Sequence, residues 1–298
     1  MLSDPSAAGI AMGVVITGTS SGIGLATAIA FARAGHQVHA TLRDLRKAGP
    51  LTEAAERAGV EVEMGRLDVT DADSCQSFFD DLEASGTPVD VLVNNAGIGG
   101  ASPLELVPEA EHREVFETNY WGAVRCSQAV LTGMRERGSG AIVNVSSLAG
   151  LVAIPNQIPY CASKWALEAM SEGLAYELRP FGVRVALVET GVVATRIFEN
   201  SADKTRYDKN SPYKSVMQRT GWLYRAGLRD PCAPEEVAAA ILEAATGARS
   251  SLRHRVGEDV AKIAAGRRRI SDEDFLALAT LSDADYKLRY AEIFGVEL

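Results

Sequence analysis

A tyrosine and a lysine four positions apart are the first residues whose types and spacing could do chemistry. Tyr160 and Lys164 follow Pro159 at the start of a predicted helix, and an i,i+4 spacing places them on one helical face. A free tyrosine, with a pKa of about 10, is a poor base at neutral pH. A neighbouring ammonium stabilises the phenolate and lowers that pKa, which favours proton transfer to or from an alcohol oxygen. The same spacing also arises by chance as an ordinary contact on a helix.

A glycine-rich segment near the start of the chain predicts a phosphate-binding turn. It covers Thr17–Gly24, directly after a β-branched run and before an alanine-rich helical stretch. Gly18 permits the tight turn off the strand, Gly22 lets the backbone approach a ligand, and Gly24 allows the helix to pack closely on the sheet. Backbone N–H groups and the positive end of the helix would then bind a pyrophosphate, which indicates a dinucleotide.

The tip of the second predicted strand indicates which dinucleotide is bound. About 20 residues beyond the glycine turn, a dinucleotide fold places the side chain that contacts the adenosine ribose. An acidic residue there accepts from the 2′-OH of NAD, whereas Arg43 suits the 2′-phosphate of NADP. We therefore favour NADP(H), with NAD(H) as the alternative. Asp44 is either a ribose acceptor or the partner of Arg43, and Arg43 can also be interpreted as a solvated surface charge.

These groups must be positioned by a larger framework, and the alternation of strand-like and helix-like segments predicts it. Short β-branched runs occur at 13–17, 37–42, 60–67, 89–94, 141–146 and 183–188, and a seventh strand is expected at 253–256. Segments of helical length lie between them, at 22–34, 71–85, 109–137, 160–178 and 234–245. This order predicts an α/β fold, a Rossmann-type doubly wound parallel sheet of about seven strands with helices on both faces.

The composition excludes several classes of protein. Of 298 residues, 47% are hydrophobic and 23% charged, the mix of a folded globular chain rather than a disordered one. With a net charge of −9, the chain lacks the excess of basic residues that is typical of proteins that bind nucleic acids or anionic membranes. No apolar stretch near the start is long enough to span a bilayer, and no secretory signal is recognised there. We therefore expect a cytoplasmic protein with no nucleic-acid partner and no membrane span.

The cysteine and histidine spacings and the chain length bear on disulfides, metal sites and the number of domains. Four cysteines form no CxxC pair and four histidines show no metal-ligand spacing, so we expect buried thiols in a reducing compartment and no metal site. The length is compatible with one or two domains. We expect a single domain over residues 1–298, with a core at 10–257, a substrate lid at about 191–232 and a helical C-terminal extension at 258–298.

Three motifs together resemble those of one family. TGxxxGIG at Thr17–Gly24, NNAG at Asn94–Gly97 and YxxxK at Tyr160–Lys164 occur in the order and at the spacing of the single-domain short-chain dehydrogenases/reductases. The resemblance covers roughly residues 13–257. Within the family, ATLRDL at 40–45 and YCASKWALE at 160–168 resemble the branch of the 17β-hydroxysteroid and photoreceptor-type retinol dehydrogenases.

The resemblance assigns roles to four catalytic side chains. Tyr160 would be the acid/base, and Lys164 would bind the nicotinamide ribose and lower the Tyr160 pKa, helped by the positive charge of an oxidised nicotinamide. Ser147, thirteen positions before the tyrosine, would polarise the substrate oxygen. Asn119 would hold a helix kink and a water in the proton relay to Lys164, which would explain an asparagine that is unfavourable inside a helix.

The resemblance also implies cofactor contacts on several loops. Asp68 matches the adenine-contacting aspartate, Asn94 would brace the central strand, and Thr195 would contact the nicotinamide carboxamide. The cofactor-binding candidates are Gly18, Ser20, Ser21, Gly22, Ile23, Gly24, Arg43, Asp68, Val69, Asn95, Ala96, Gly97, Tyr160, Lys164, Gly191, Val193 and Thr195.

One departure from the family pattern lies after the sixth strand. The family usually has Pro-Gly at this point, whereas this chain has Glu189-Thr190-Gly191. Without the proline ring one backbone φ angle of the nicotinamide loop is free.

The stretch between Gly191 and Cys232 has few strong secondary-structure signals and is rich in aromatic residues. Five aromatic residues fall within 198–224, namely Phe198, Tyr207, Tyr213, Trp222 and Tyr224. A loosely structured aromatic lid suits a bulky apolar alcohol or ketone that is steroid-, retinoid- or lipid-like. Ordinary packing or oligomer contacts would also explain these residues. The same stretch contains cations that would suit an acidic or acyl-carrier-bound substrate, namely Lys204, Arg206, Lys209, Lys214 and Arg219.

The sequence thus supports two classes of function. The first is an NADP(H)-dependent oxidoreductase that interconverts a secondary alcohol and a carbonyl, either on a bulky apolar molecule or on an acyl-carrier-bound ketone. The second is a non-enzymatic NADP(H)-binding sensor or scaffold, which has no need for all four catalytic side chains. By analogy with the family, we also expect a homodimer or homotetramer formed through the helices at 109–137 and 160–178.

Overall fold

A parallel seven-stranded sheet forms the centre of the protein. The computed structural model describes residues 11–195, 204–206, 208–248 and 250–298. The strands lie in the order β3-β2-β1-β4-β5-β6-β7, and every neighbouring pair is parallel. Their bounds are Gly13–Thr17 (β1), Gln37–Leu42 (β2), Glu63–Arg66 (β3), Val91–Asn94 (β4), Gly140–Ser147 (β5), Val183–Thr190 (β6) and Arg253–Val256 (β7). The predicted fold class is confirmed.

Helices cover both faces of this sheet. In the described residues they are Gly22–Arg33 (α1), Gly49–Ala58 (α2), Ala72–Ala84 (α3), Glu109–Phe116 (α4), Gly122–Arg137 (α5), Ile158–Leu178 (α6), Lys214–Gly227 (α7), Pro234–Thr246 (α8), Glu258–Arg269 (α9), Asp272–Ala277 (α10) and Asp283–Phe294 (α11). None of these helices is long and apolar enough to cross a membrane.

Alternate residues of the strands belong to two separate hydrophobic cores. Val14 and Ile16 of β1 pack in one core with Phe31 of α1, while Val15 packs in the other core with Phe79 of α3. All are almost completely buried, because successive strand residues point to opposite faces of the sheet. This two-sided burial explains why the strands are nearly continuous apolar runs.

A third core joins the C-terminal helices to the segment that follows β5. Leu148 and Val152 pack there with Val260 and Ile263 of α9 and with Phe294 of α11. The segment at 148–152 directly follows Ser147, so the C-terminal helices support the backbone beside the candidate active site.

Several elements differ from the sequence predictions: β3 and β4 are shorter than the predicted 60–67 and 89–94, and α2 was not predicted. The predicted helix at 109–137 is interrupted by a π-helical turn at Glu117–Trp121, with Asn119 at its centre. Helix α6 begins at Ile158 rather than at Tyr160, because Pro159 is tolerated in the first turn of a helix. The stretch between Gly191 and Cys232 contains a full helix, α7, which the sequence analysis missed. Its sequence signal is weak because it includes two glycines, and buried Met217 and Thr220 stabilise it through tertiary packing.

Candidate active site

A cavity of about 1110 Å³ lies at the carboxyl ends of the strands. The segments that follow all seven strands line it, as expected for an open parallel sheet. It brings together most of the predicted site residues, namely Gly18, Ser20, Ser21, Gly22, Ile23, Arg43, Asp68, Val69, Asn95, Ala96, Gly97, Ser147, Tyr160, Lys164, Gly191, Val193 and Thr195. Gly24 and Asn119 lie behind this lining.

The glycine turn has the geometry of a ligand cradle. Gly18 has a φ of 73°, and a Cβ there would lie 2.8 Å from the Cα of Ala96. A Cβ on Gly24 would lie 2.4 Å from the Gly18 carbonyl oxygen, so Gly24 lets α1 pack against the turn. The Asn95 amide donates to the carbonyl oxygens of Thr17 (2.8 Å) and Gly18 (3.0 Å). Asn95 therefore holds the turn in place with its side chain.

Arg43 is exposed at the edge of the cavity. Asp44 does not pair with it, so one of the two roles considered for Asp44 is wrong. The Asp44 carboxylate instead lies 2.9 Å from the Arg46 guanidinium, whose hydrogen bonds lower the Asp44 pKa to about 2. Asp44 also accepts from the backbone N–H of Arg46, because it caps the short helical turn that follows. Within the described part of the chain Arg43 forms no ion pair, which leaves its guanidinium available to a ligand.

Asp68 is held in one orientation at the same end of the cavity. Its Oδ1 accepts from the Thr70 backbone N–H (3.1 Å) and from the Thr70 hydroxyl (2.8 Å). Val69 is buried beside it, and its carbonyl oxygen accepts from Arg125. The Asp68 carboxylate therefore has a fixed position at the predicted adenine end.

Tyr160 and Ser147 form a hydroxyl pair in the middle of the cavity. Burial raises the pKa of Tyr160 to about 12, while the hydrogen bond from Ser147 acts in the opposite direction. The Ser147 hydroxyl also accepts from the backbone N–H of Ala149 at 3.2 Å, which orients it at the end of β5. Without an added positive charge, Tyr160 is therefore a proton donor at neutral pH.

Lys164 lies beneath this pair and is only 5% exposed. Its Nζ donates to the Val145 carbonyl oxygen at 2.8 Å and lies 5.8 Å from the centre of the Tyr160 ring. Burial lowers the Lys164 pKa to about 8, and the nearby Glu168 carboxylate raises it in part. The surroundings thus raise the Tyr160 pKa and lower the Lys164 pKa, and the lowering of the Tyr160 pKa by Lys164 and an oxidised nicotinamide stays a prediction.

Asn119 supports the site from behind. It is 2% exposed, and its Oδ1 accepts from the Ile98 N–H at 2.9 Å. Its amide donates to the Ile98 carbonyl oxygen and to the Ser163 hydroxyl, each at 3.0 Å. Asn119 thereby joins the NNAG loop to α6, and the expected kink is the π-helical turn. Both Asn119 amide hydrogens are thus donated within the protein, and the relay water stays a prediction.

The loop after β6 connects the two halves of the site. Thr190 pairs in register with Ser147 of β5, so the loop begins beside the hydroxyl pair. It then approaches the glycine turn, because a Cβ on Gly22 would lie 2.9 Å from Thr195 Cγ2. The loop thus spans the distance between the cradle and Tyr160.

The substrate end of the cavity contains residues that the sequence analysis did not single out. Apolar Leu148, Ile154, Leu223 and Val296 line it, together with Gln157. Gln157 hydrogen-bonds the phenol of Tyr224, which approaches Tyr160. The position of Gln157 three residues before Tyr160 is a signal that could have indicated it, whereas no local pattern indicates Val296.

Two of the lid aromatics lie away from the cavity, so the prediction of an aromatic-lined lid holds only in part. Tyr213 donates to Glu105, and Trp222 packs against Tyr286 of α11. Of the five, Tyr224 does line the cavity, and Phe198 and Tyr207 lie outside the described residues.

The lid cations are largely engaged within the chain. Lys204 lies 3.3 Å from the Glu114 carboxylate, and Arg206 pairs with Glu111. Arg219 is buried and donates to the Leu278 carbonyl oxygen at 2.9 Å. Lys209 and Lys214 are exposed. These contacts fasten the lid to neighbouring elements rather than presenting a cationic surface.

Known proteins share both the sequence and this architecture. The chain matches the short chain dehydrogenase family over residues 13–206. It is 37% identical over 254 residues to 17-beta-hydroxysteroid dehydrogenase type 1 of Homo sapiens, covering 81% of this chain and 76% of that protein. It is 45% identical over 186 residues to retinol dehydrogenase 8 of Bos taurus, and the match covers 61% of this chain and 59% of that protein.

Solved structures agree with these relatives. A short-chain dehydrogenase from Streptomyces avermitilis superposes with a TM-score of 0.77 at 34% identity, over 91% of this chain and 99% of that one. A metagenomic short-chain oxidoreductase in complex with NADP superposes with a TM-score of 0.66 at 29% identity, over 82% and 96% respectively. With its sheet order, its motifs and these relatives, the chain belongs to the short-chain dehydrogenase family and is an oxidoreductase.

Proposed function

We propose that the protein is an NADP(H)-dependent oxidoreductase that interconverts a secondary alcohol and a ketone on a bulky apolar substrate. The observation that carries this proposal is the Tyr160–Ser147 hydroxyl pair above Lys164, which faces the glycine cradle across one cavity. A sensor or scaffold would have no use for this arrangement. Apolar side chains beside the pair support an apolar substrate.

The residues divide the chemistry between them. When bound, NADP(H) supplies or accepts the hydride. Ser147 hydrogen-bonds the substrate oxygen, and Tyr160 gives that oxygen a proton in reduction or removes one in oxidation. Lys164 stabilises the phenolate that remains, and Asn119 keeps the backbone between the NNAG loop and α6 in place. Each of these groups acts where charge develops on the oxygen.

The choice of NADP(H) rests on the cradle and on Arg43. A Cβ on Gly18 would lie 2.8 Å from the Ala96 Cα, so this glycine lets the turn pack against the NNAG loop, and both segments line the cavity. Arg43 at the cavity edge can bind a 2′-phosphate bidentately. The NADP complex of the metagenomic relative supports the same cofactor.

The substrate class is argued from the lining and from the relatives. The names of the steroid and retinol dehydrogenase relatives support a steroid- or retinoid-like alcohol. An acyl-carrier-bound ketone is less well supported, because Lys204, Arg206 and Arg219 are engaged within the chain. In addition, the cavity lining contains several carboxylates, namely Asp230, Glu236, Glu258, Asp259 and Glu297.

A panel of alcohols and ketones tests the reaction. We expect NADPH absorbance to fall with apolar cyclic or long-chain ketones, and NADP⁺ to be reduced with the matching alcohols. Acyl-carrier-bound β-ketones should be poor substrates. Absence of turnover with every ketone and alcohol, together with tight NADPH binding, would instead support the sensor.

We also propose a homodimer or homotetramer. Trp121 and Trp165 are 47% and 51% exposed, on the π-helical turn and on α6, which pack against each other. Large exposed aromatic residues are typical of interface cores. We expect gel filtration to give a multiple of 31.7 kDa, and the variant W121E/W165E to shift the protein towards that monomer mass. A monomer for the unmutated chain would contradict the proposal.

A further inference from the structure

Glu189 is the first residue of the Glu189-Thr190-Gly191 segment, where the chain departs from the family pattern. The proposed mechanism does not use its carboxylate. It is 0% exposed and lies near the carboxyl end of β6, next to the cavity. A buried carboxylate is costly unless it is paired and hydrogen-bonded. The side chains that pair with Glu189 therefore indicate which segments its carboxylate holds together.

Two arginines of β7 hold Glu189. In the parallel β6–β7 pair Glu189 lies opposite Arg255, and Arg253 is two residues away on the same face of the sheet. Arg255 Nε donates to Glu189 Oε2 at 2.9 Å, and Arg253 Nε lies 3.2 Å from Glu189 Oε1. Glu189 Oε2 is thus hydrogen-bonded and ion-paired, whereas Oε1 has the ionic contact with Arg253 but no hydrogen-bond partner among the described residues.

The same network reaches the helix that carries Tyr160 and Lys164. Arg253 Nε donates its hydrogen bond to Glu168 Oε2 at 3.2 Å, and Glu168 lies one turn after Lys164 on α6. The ion pairs therefore connect β6, β7 and α6 immediately below the site.

The loop that Glu189 precedes is held from a second side. The backbone N–H of Gly191 donates to the Val256 carbonyl oxygen at 3.4 Å. The Asp259 carboxylate lies so close that a Cβ on Gly191 would be 2.4 Å from both of its oxygens. With Thr190 in place of proline, no ring restricts the backbone here, and these contacts supply the restraint instead.

We propose that Glu189, held by Arg253 and Arg255, is a positioning residue that sets the Thr190–Thr195 loop and so orients the nicotinamide half of the cofactor. The inference rests on the proposed NADP(H)-dependent function. The loop runs from Ser147 to Gly22, between the catalytic hydroxyls and the pyrophosphate cradle, which is where the reacting ring must lie. Arg43 and Asp68, which would bind the adenine half, follow β2 and β3, and β1, β4 and β5 separate these strands from β6.

The test compares the binding of NADPH, which occupies both halves of the proposed cofactor site, with that of a ligand that occupies only the adenine half. Glu189→Gln keeps the side-chain shape and removes its charge. We expect the variant to bind NADPH at least tenfold more weakly, while its affinity for adenosine 2′,5′-bisphosphate, which lacks the nicotinamide, changes less than twofold. The matched control is Glu172→Gln, because Glu172 contacts Arg253 at the exposed end of the network and does not contact Glu189. It should bind both ligands as the unmutated protein does.

A second variant covers the case in which Glu189→Gln does not fold. Arg255→Gln removes one of the two arginines and leaves Arg253 to neutralise Glu189. It should show the same selective loss of NADPH affinity. Equal weakening of both ligands, or unchanged NADPH affinity in a folded variant, would overturn the inference. If the unmutated protein binds neither ligand, the proposed function itself fails, and the inference fails with it.

Discussion

Replacing Tyr160 by phenylalanine is expected to remove turnover and to leave NADPH affinity nearly unchanged. The variant keeps the ring that packs in the cavity but loses the hydroxyl that exchanges a proton with the substrate oxygen. General acid–base groups contribute about 10²–10⁴-fold to rate, so kcat should fall by at least this factor. Steady-state NADPH oxidation measures kcat, and fluorescence titration measures cofactor affinity.

A tyrosine on the same helix provides the control. Tyr176 lies on α6 but is 86% exposed, so Tyr176→Phe should retain full activity. Activity of Tyr160→Phe close to that of the unmutated enzyme would rule out Tyr160 as the acid/base. A parallel loss of NADPH affinity would indicate that the phenol serves mainly to bind the cofactor.

Arg43→Ala is expected to abolish the preference for NADPH over NADH. Hydrogen bonds to a charged group contribute about 1.5–3 kcal/mol. Since every 1.4 kcal/mol is a factor of ten, NADPH affinity should fall by about 10- to 100-fold. The NADH affinity should change little, because NADH has no phosphate at this position. Paired titrations with the two cofactors measure both effects.

Arg46 is the matched control for Arg43. It is also exposed and lies three residues away, but its guanidinium pairs with Asp44. Arg46→Ala should therefore preserve the ratio of the two affinities. Equal affinities for NADPH and NADH in the unmutated protein would refute the role given to Arg43. Higher salt should weaken NADPH binding more than NADH binding, because an exposed ionic contact is screened.

Local patterns were sufficient to predict the sheet, the glycine turn and the placement of Tyr160 and Lys164 on one helix. The runs around Val15 and Leu92 are β-branched and apolar because both faces of a parallel sheet are covered, and this property is visible in any short window. Gly18 is recognisable because a left-handed φ at a tight turn requires it. Tyr160 and Lys164 share a helix face through their spacing alone. The roles given to them stay predictions until the variants are measured.

Side-chain partners and packing that depend on the folded backbone could not be predicted in the same way. Asp44 pairs with Arg46 rather than Arg43, and both alternatives are compatible with the same stretch of sequence. Helix α7 has weak intrinsic helical preference and is stabilised by packing, so its sequence does not indicate it. Trp222 faces Tyr286, 64 residues further along the chain, which removes it from the substrate lining.

The sequence by itself determined the α/β class, the glycine cradle and the Tyr160–Lys164 pair, because each depends on spacing over a few residues. Only the tertiary structure decided what surrounds them. It placed Ser147 against the Tyr160 phenol, and it buried Glu189 between Arg253 and Arg255, residues more than sixty positions away. The charge pairs that hold the loop after β6 depend on which strands become neighbours, and strand order is a property of the folded chain.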